Sequence, residues 1–136
     1  MTAFPTAQRI RTDESGGFVT WWILGLAGVA ILMFALVGDG SRVMAAVDET
    51  SDVAQVAARA GARMVDPSTG VLDATRAEAT AQAEIAVAGM TGTVTVTGDE
   101  ITVTAITTID LPLLAIVGVD QRTVTSTRTA RAISDP

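Results

Sequence analysis

Residues 18–38 read FVTWWILGLAGVAILMFALVG, and no charged side chain occurs between Glu14 and Asp39. At about 1.5 Å of rise per residue this run makes a helix of roughly 31 Å, matching the hydrocarbon core of a bilayer at about 30 Å. Its eleven Leu, Ile, Val and Phe residues each favour insertion by about 0.3–0.6 kcal/mol near a helix centre, roughly 3–7 kcal/mol together. Trp21 and Trp22 stand near the start of the run, where amphipathic rings favour the headgroup boundary, and they are expected to be the membrane-interface anchor. Arg9, Arg11 and the amino terminus precede the run, against Arg42 alone close behind it, which orients the N-terminus inside. The expected organisation is a cytoplasmic leader (1–17), a transmembrane helix (18–38) and an extracytoplasmic domain (39–136), with membrane lipid as the first partner. Two other readings of the run stay open. A core helix is one, although about 100 remaining residues would struggle to cover an all-apolar cylinder. A cleaved secretory signal is the other, since Val43 and Ala45 fit the −3 and −1 positions of a signal-peptidase site.

Composition narrows the chemistry. The chain has no cysteine, histidine, lysine or tyrosine, which removes thiolate metal sites, the commonest general base, Schiff-base amines and phenolic acids. Six serines are present, but none has a histidine or lysine to activate it. No catalytic, cofactor-binding or metal-binding residue is expected, and an enzyme is not. All nine basic residues are arginine against fifteen acids; the acidic surface repels phosphate backbones, so nucleic acid is excluded as a partner.

Beyond the run, Gly38-Asp39-Gly40-Ser41 is a cluster able to break or hinge a helix. It superficially resembles a phosphate loop but lacks the Lys-Ser/Thr pair that such a loop needs. The helical pattern then resumes over residues 41–65. Val43, Val47, Ala54, Ala57, Ala60 or Gly61, and Met64 form the apolar stripe, opposite Asp48, Asp52, Gln55, Arg59 and Arg63. A helix continuous with the membrane span is the expected geometry. Asp66-Pro67-Ser68-Thr69-Gly70 predicts a turn, and residues 73–88 predict a second helix with Asp73 as N-cap, a thin alanine face, and Gly89 as terminator.

From Thr93 the pattern changes to alternating β-branched residues. TVTVT (93–97), the two-residue Gly98-Asp99 loop and ITVTAITTI (101–109) predict a hairpin, and RTVTSTRTARAI (122–133) a third strand. Asp99-Glu100 are adjacent carboxylates, expected as solvated turn residues. The fold class is therefore α+β: an N-terminal transmembrane helix running into an amphipathic helix, a second helix, and a small antiparallel sheet of about three strands. Between the last two strands lies DLPLLAIVGVD (110–120). One reading folds this loop back to seal one end of the core. The other makes it a contact loop, with Leu111, Leu113, Leu114, Ile116 and Val117 facing a neighbouring subunit or the membrane.

Several stretches together resemble a known family. They are Arg11-Thr12-Asp13-Glu14-Ser15-Gly16-Gly17 before the apolar run, Val37-Gly38-Asp39-Gly40 after it, Ala57-Ala58-Arg59-Ala60-Gly61, and Thr91-Gly92-Thr93-Val94-Thr95-Val96. With Gly118-Val119-Asp120, Val124-Thr125-Ser126-Thr127 and Ala130-Arg131-Ala132 they make nearly the whole chain from Arg11 similar to actinobacterial TadE/TadG-like pilus-assembly proteins. The resemblance implies a pilin-like fold and a minor pilin, pseudopilin or assembly factor of a tight-adherence, type IV-like pilus, with a structural and adhesive role. Its implied partners are other pilins or pseudopilins, pilus-assembly platform proteins and a prepilin peptidase. The implied cleavage lies at Gly16, Gly17 and Phe18, and the small residues Gly25, Ala27, Gly28 and Ala35 would let neighbouring helices approach closely. The chain departs from the family pattern at the fifth mature position, which holds Trp22 for cleavage after Gly17, or Trp21 for cleavage after Gly16, in place of a glutamate. A membrane-anchored binding module of another envelope complex and a secreted small adhesin remain as alternatives.

Overall fold

A computed structural model describes residues 14–133. In chain order they form α1 (Glu14–Ala62), α2 (Ala74–Val87), β1 (Thr91–Thr97), β2 (Glu100–Asp110), a short 3-10 turn (Leu114–Val117) and β3 (Gln121–Arg131). The strands make one antiparallel sheet in the order β1-β2-β3. The α+β pattern expected from the sequence is therefore present, with a long apolar N-terminal helix, a second helix and three strands. The chain divides into two compact units at Phe34 and Ala35.

The first unit is the opening part of α1. Every side chain from Phe18 to Phe34 is exposed, and this helix is long and apolar enough to cross a membrane. A core helix would be covered on at least one face; the continuous exposure here rules that alternative out. The clearly polar side chain of the run, Thr20, donates its hydroxyl to the Gly16 carbonyl at 2.8 Å and so is satisfied within its own helix.

The second unit begins at Ala35, inside the expected span. Ala35 is itself buried, so it is not available to the helix-association face that the family resemblance implied. The helix shows no break at Gly38–Ser41. Ser41 donates to the Gly38 carbonyl at 2.7 Å, a bond that keeps the hydroxyl inside the helical ladder. The buried stripe of α1 also differs from the expected one at its start. Ala46 and Thr50 point inward, whereas Val47 is 41 % exposed. The stripe then follows Ala54, Ala57, Ala58, Gly61 and Ala62, because the seam selects small residues where the sheet and α2 come close. A Cβ on Gly61 would collide with Ile101 Cδ1 and stand 2.9 Å from the Ala77 carbonyl oxygen.

The core is built from these alanines, Ala77, Ala81 and Ile85 of α2, and Ile101, Val103 and Ala105 of β2. Both helical segments thus cover one face of the sheet. The opposite face is threonine, with hydroxyl pairs Thr102–Thr129 at 3.1 Å and Thr104–Thr127 at 3.0 Å across β2 and β3. This is the inside/outside alternation that β-branched residues at period two dictate. The Asp66–Gly70 turn forms as expected, with Asp66 Oδ1 accepting from the Ser68 amide at 2.8 Å and hydroxyl at 2.6 Å, and Gly70 at φ +68°. Asp73 caps α2 by accepting from the Arg76 amide at 3.1 Å. Thr97 pairs with Glu100 across Gly98-Asp99; the positive φ falls on Gly98 alone, as a type II′ hairpin turn requires.

Candidate functional site

The 110–120 connection is where polar chemistry and apolar surface meet. The Leu111 amide donates to the Asp120 carbonyl at 2.7 Å, and Gln121 Nε2 to Asp110 Oδ1 at 3.0 Å, so the base of the loop is closed as a continuation of the β2–β3 ladder. Above that base the chain coils through the 3-10 turn. The Ala115 amide bonds the Leu111 carbonyl at 3.0 Å, Gly118 bonds Ala115 at 3.1 Å, and Val119 bonds Leu114 at 3.1 Å. Gly118, at φ +88°, supplies the left-handed residue that sends the chain back towards β3.

Asp39 holds this loop to α1. Its Oδ2 accepts from the Leu113 amide at 3.0 Å and from the Leu114 amide at 2.7 Å, across 74 and 75 residues of sequence. The side chain is fully buried, and Oδ1 has no hydrogen-bond partner. Burying a carboxyl group is unfavourable unless its bonds repay the lost hydration. Two backbone donors converging on one oxygen are that repayment. Neighbouring Gly38 makes the approach possible, since a Cβ there would stand 2.9 Å from Leu113 Cδ1. Leu36, Val43, Leu111, Leu114 and Arg122 join Asp39 in lining an open groove of about 530 Å³ between helix and loop.

The five expected contact-loop residues separate into two groups. Leu111 is buried and Leu114 half-buried, while Leu113 is 44 %, Val117 56 % and Ile116 81 % exposed. The base of the loop folds inward and its tip faces out. Trp21 and Trp22 are exposed on the apolar part of α1, and Gly16, Gly17 and exposed Phe18 lie within the first turns of that helix. Arg9, Arg11 and the rest of leader residues 1–13 lie outside the described residues. Asp99 and Glu100 sit on the hairpin and pair with Arg131 at 3.3 and 3.6 Å, all at the surface. Among the described residues, no group of three or more His, Cys, Asp or Glu side chains is placed to hold a metal ion.

Sequence reasoning gave Asp39 a place in a helix junction and missed its contact with the loop. The available signal was a lone acid immediately after an uncharged run of bilayer length; its partners are backbone amides, which leave no trace in side-chain identity. Comparison with protein-family models, with characterised proteins and with solved structures gives no match to this chain.

Proposed function

We propose that this chain is a membrane-anchored, non-catalytic subunit of a tight-adherence, type IV-like pilus, acting as a minor pilin, pseudopilin or assembly factor. The N-terminus faces the cytoplasm and the α+β domain stands outside the cytoplasmic membrane. The observation that carries this reading is α1 itself: a bare apolar helix that passes without a break into the helix on which the sheet packs. The apolar part of α1 then serves as the membrane anchor, and its later part contributes to the core of the domain. In a fibre, the same apolar segment would exchange lipid contacts for contacts with neighbouring helices. Gly25 and Gly28 suit that exchange, because residues without a side chain let a neighbouring helix approach closely. The resemblance of residues 11–132 to TadE/TadG-like proteins supplies the biological setting.

Trp21 or Trp22 stands where the family pattern has a glutamate. That substitution favours a permanently anchored assembly factor over a fibre-incorporated subunit, and it is also the feature that a binding module of another envelope complex would share. Mass spectrometry of the native N-terminus distinguishes these outcomes. A terminus at Phe18 indicates prepilin processing, and an intact leader indicates a retained anchor. A terminus near residue 46 indicates a secreted adhesin and defeats the proposal. Affinity capture from membranes should recover pilins or assembly-platform proteins; recovery of an unrelated envelope complex alone moves the chain to the other anchored class.

A further inference from the structure

We infer that the tip of the 111–119 loop, through Ile116 and Val117, is a second membrane contact, seated at the boundary of headgroups and acyl chains beside the exit of α1 from the bilayer. This inference rests on the reading of residues 18–38 as the membrane span.

Position is the first argument. The Asp39 carboxyl fixes the Leu113 and Leu114 amides to the residue that immediately follows the apolar run, and Leu113 lies against Gly38. Ile116 is two residues beyond Leu114, a reach of at most about 7 Å. By connectivity alone, then, the tip is held at the level where the span ends. Leu36 and Val37, the last large residues of the run, are 63 % and 72 % exposed in the same unit.

Chemistry is the second. Residues 111–119, LPLLAIVGV, carry no charge, and the main core makes no use of the tip. Arg42, one turn past Asp39, and Arg122, on the groove, are both exposed and can meet lipid phosphates while the apolar side chains sit deeper. The bilayer is preferred over a second copy as occupant because it already covers the run from which the patch continues.

The third argument concerns the backbone. Irregular chain entering an apolar boundary is costly when its amides lack partners. Here Leu111, Ala115, Gly118 and Val119 donate within the loop or to its base, Leu113 and Leu114 donate to Asp39, and Pro112 has no amide to satisfy. The buried carboxyl thereby acquires a purpose: it closes the donors of a loop that must leave water.

The absence of cysteine makes the test direct. Full-length protein carrying a nitroxide at I116C or V117C is reconstituted in vesicles of phosphatidylcholine and phosphatidylglycerol. Collision rates with oxygen and with a water-soluble nickel chelate are compared with those at I31C, in the span, and T95C, on the exposed sheet face. The expected result is nickel collision several-fold below that at T95C, with oxygen collision approaching that at I31C. Water-like values at 116 and 117 beside a lipid-like I31C overturn the inference and leave the anchor standing. Protection from both reagents also overturns it, because another protein or a second copy then covers the tip. A water-like I31C removes the anchor and the inference together.

Discussion

Replacing Asp39 by alanine tests whether one side chain holds the apolar loop to the helix. The substitution takes the acceptor from two part-buried amides, those of Leu113 and Leu114. An unsatisfied buried donor costs about 1–3 kcal/mol, and removing a buried carboxyl whose Oδ1 is unpartnered returns part of that total. The net local loss is about 2–3 kcal/mol, which corresponds to amide exchange at Leu113 and Leu114 roughly 30- to 150-fold faster. Asparagine keeps a carbonyl oxygen in the accepting position and places its amide where Oδ1 had no partner. Asp39→Asn should therefore cost less than about 1 kcal/mol, or about fivefold in exchange. Hydrogen exchange on the full chain in lipid bicelles reads both variants. Protection of Ile101 and Val103, in the main core away from the loop, serves as the internal control and should not move. If Asp39→Ala leaves the two loop amides within about threefold of the parent rate, below the smallest effect of one lost bond, then the loop is held by its leucines and the carboxyl is incidental.

Three further outcomes follow from the domain. Gly61→Val places a side chain against Ile101 and the Ala77 carbonyl; overpacking of this kind should cost about 1–3 kcal/mol, measured as a drop in the urea midpoint of the full chain in micelles. Asp73→Ala removes the N-cap of α2 and should cost about 1 kcal/mol in the same measurement, with Asp73→Ser restoring most of it. The Ser68 hydroxyl, then its amide, hold the exposed Asp66 carboxyl below the usual carboxylate range. A lowered folded-state pKa means that its contribution to stability is present above the unfolded pKa and is lost as pH falls through the folded one. Ser68→Ala should move the Asp66 titration upward by carbon-detected NMR; an unchanged titration would show that the hydroxyl is not the cause.

Elements that depend on local chemistry could be read directly from the residues. Asp73 and Gly89 bound α2 because a cap and a left-handed terminator act within a turn of themselves, and the Gly98-Asp99 hairpin depends only on one positive φ between two alternating runs. The apolar run announced its length for the same reason. What stayed hidden was decided by proximity across the fold. Ala46 and Thr50 take the buried stripe in place of Val47, one residue over on the same helical period that leads to Ala54; hydrophobicity alone pointed to the valine. Gly38, one of a cluster able to break or hinge a helix, stays helical and is needed for its missing Cβ, which makes space for Leu113. Asp39, placed at a helix junction, is the acceptor for a loop more than seventy residues away. The continuous helix expected through Gly38–Ser41 is present; what the residues did not reveal is the loop that these two positions meet. Helix-breaking tendencies of about 1 kcal/mol per residue are too small to interrupt α1 there, and the amides that meet Asp39 belong to a distant backbone that side-chain identity does not reveal. The helical junction and the loop meet through Asp39, and loosening the loop should make Gly38–Ser41 the first turn of the second unit's helix to exchange.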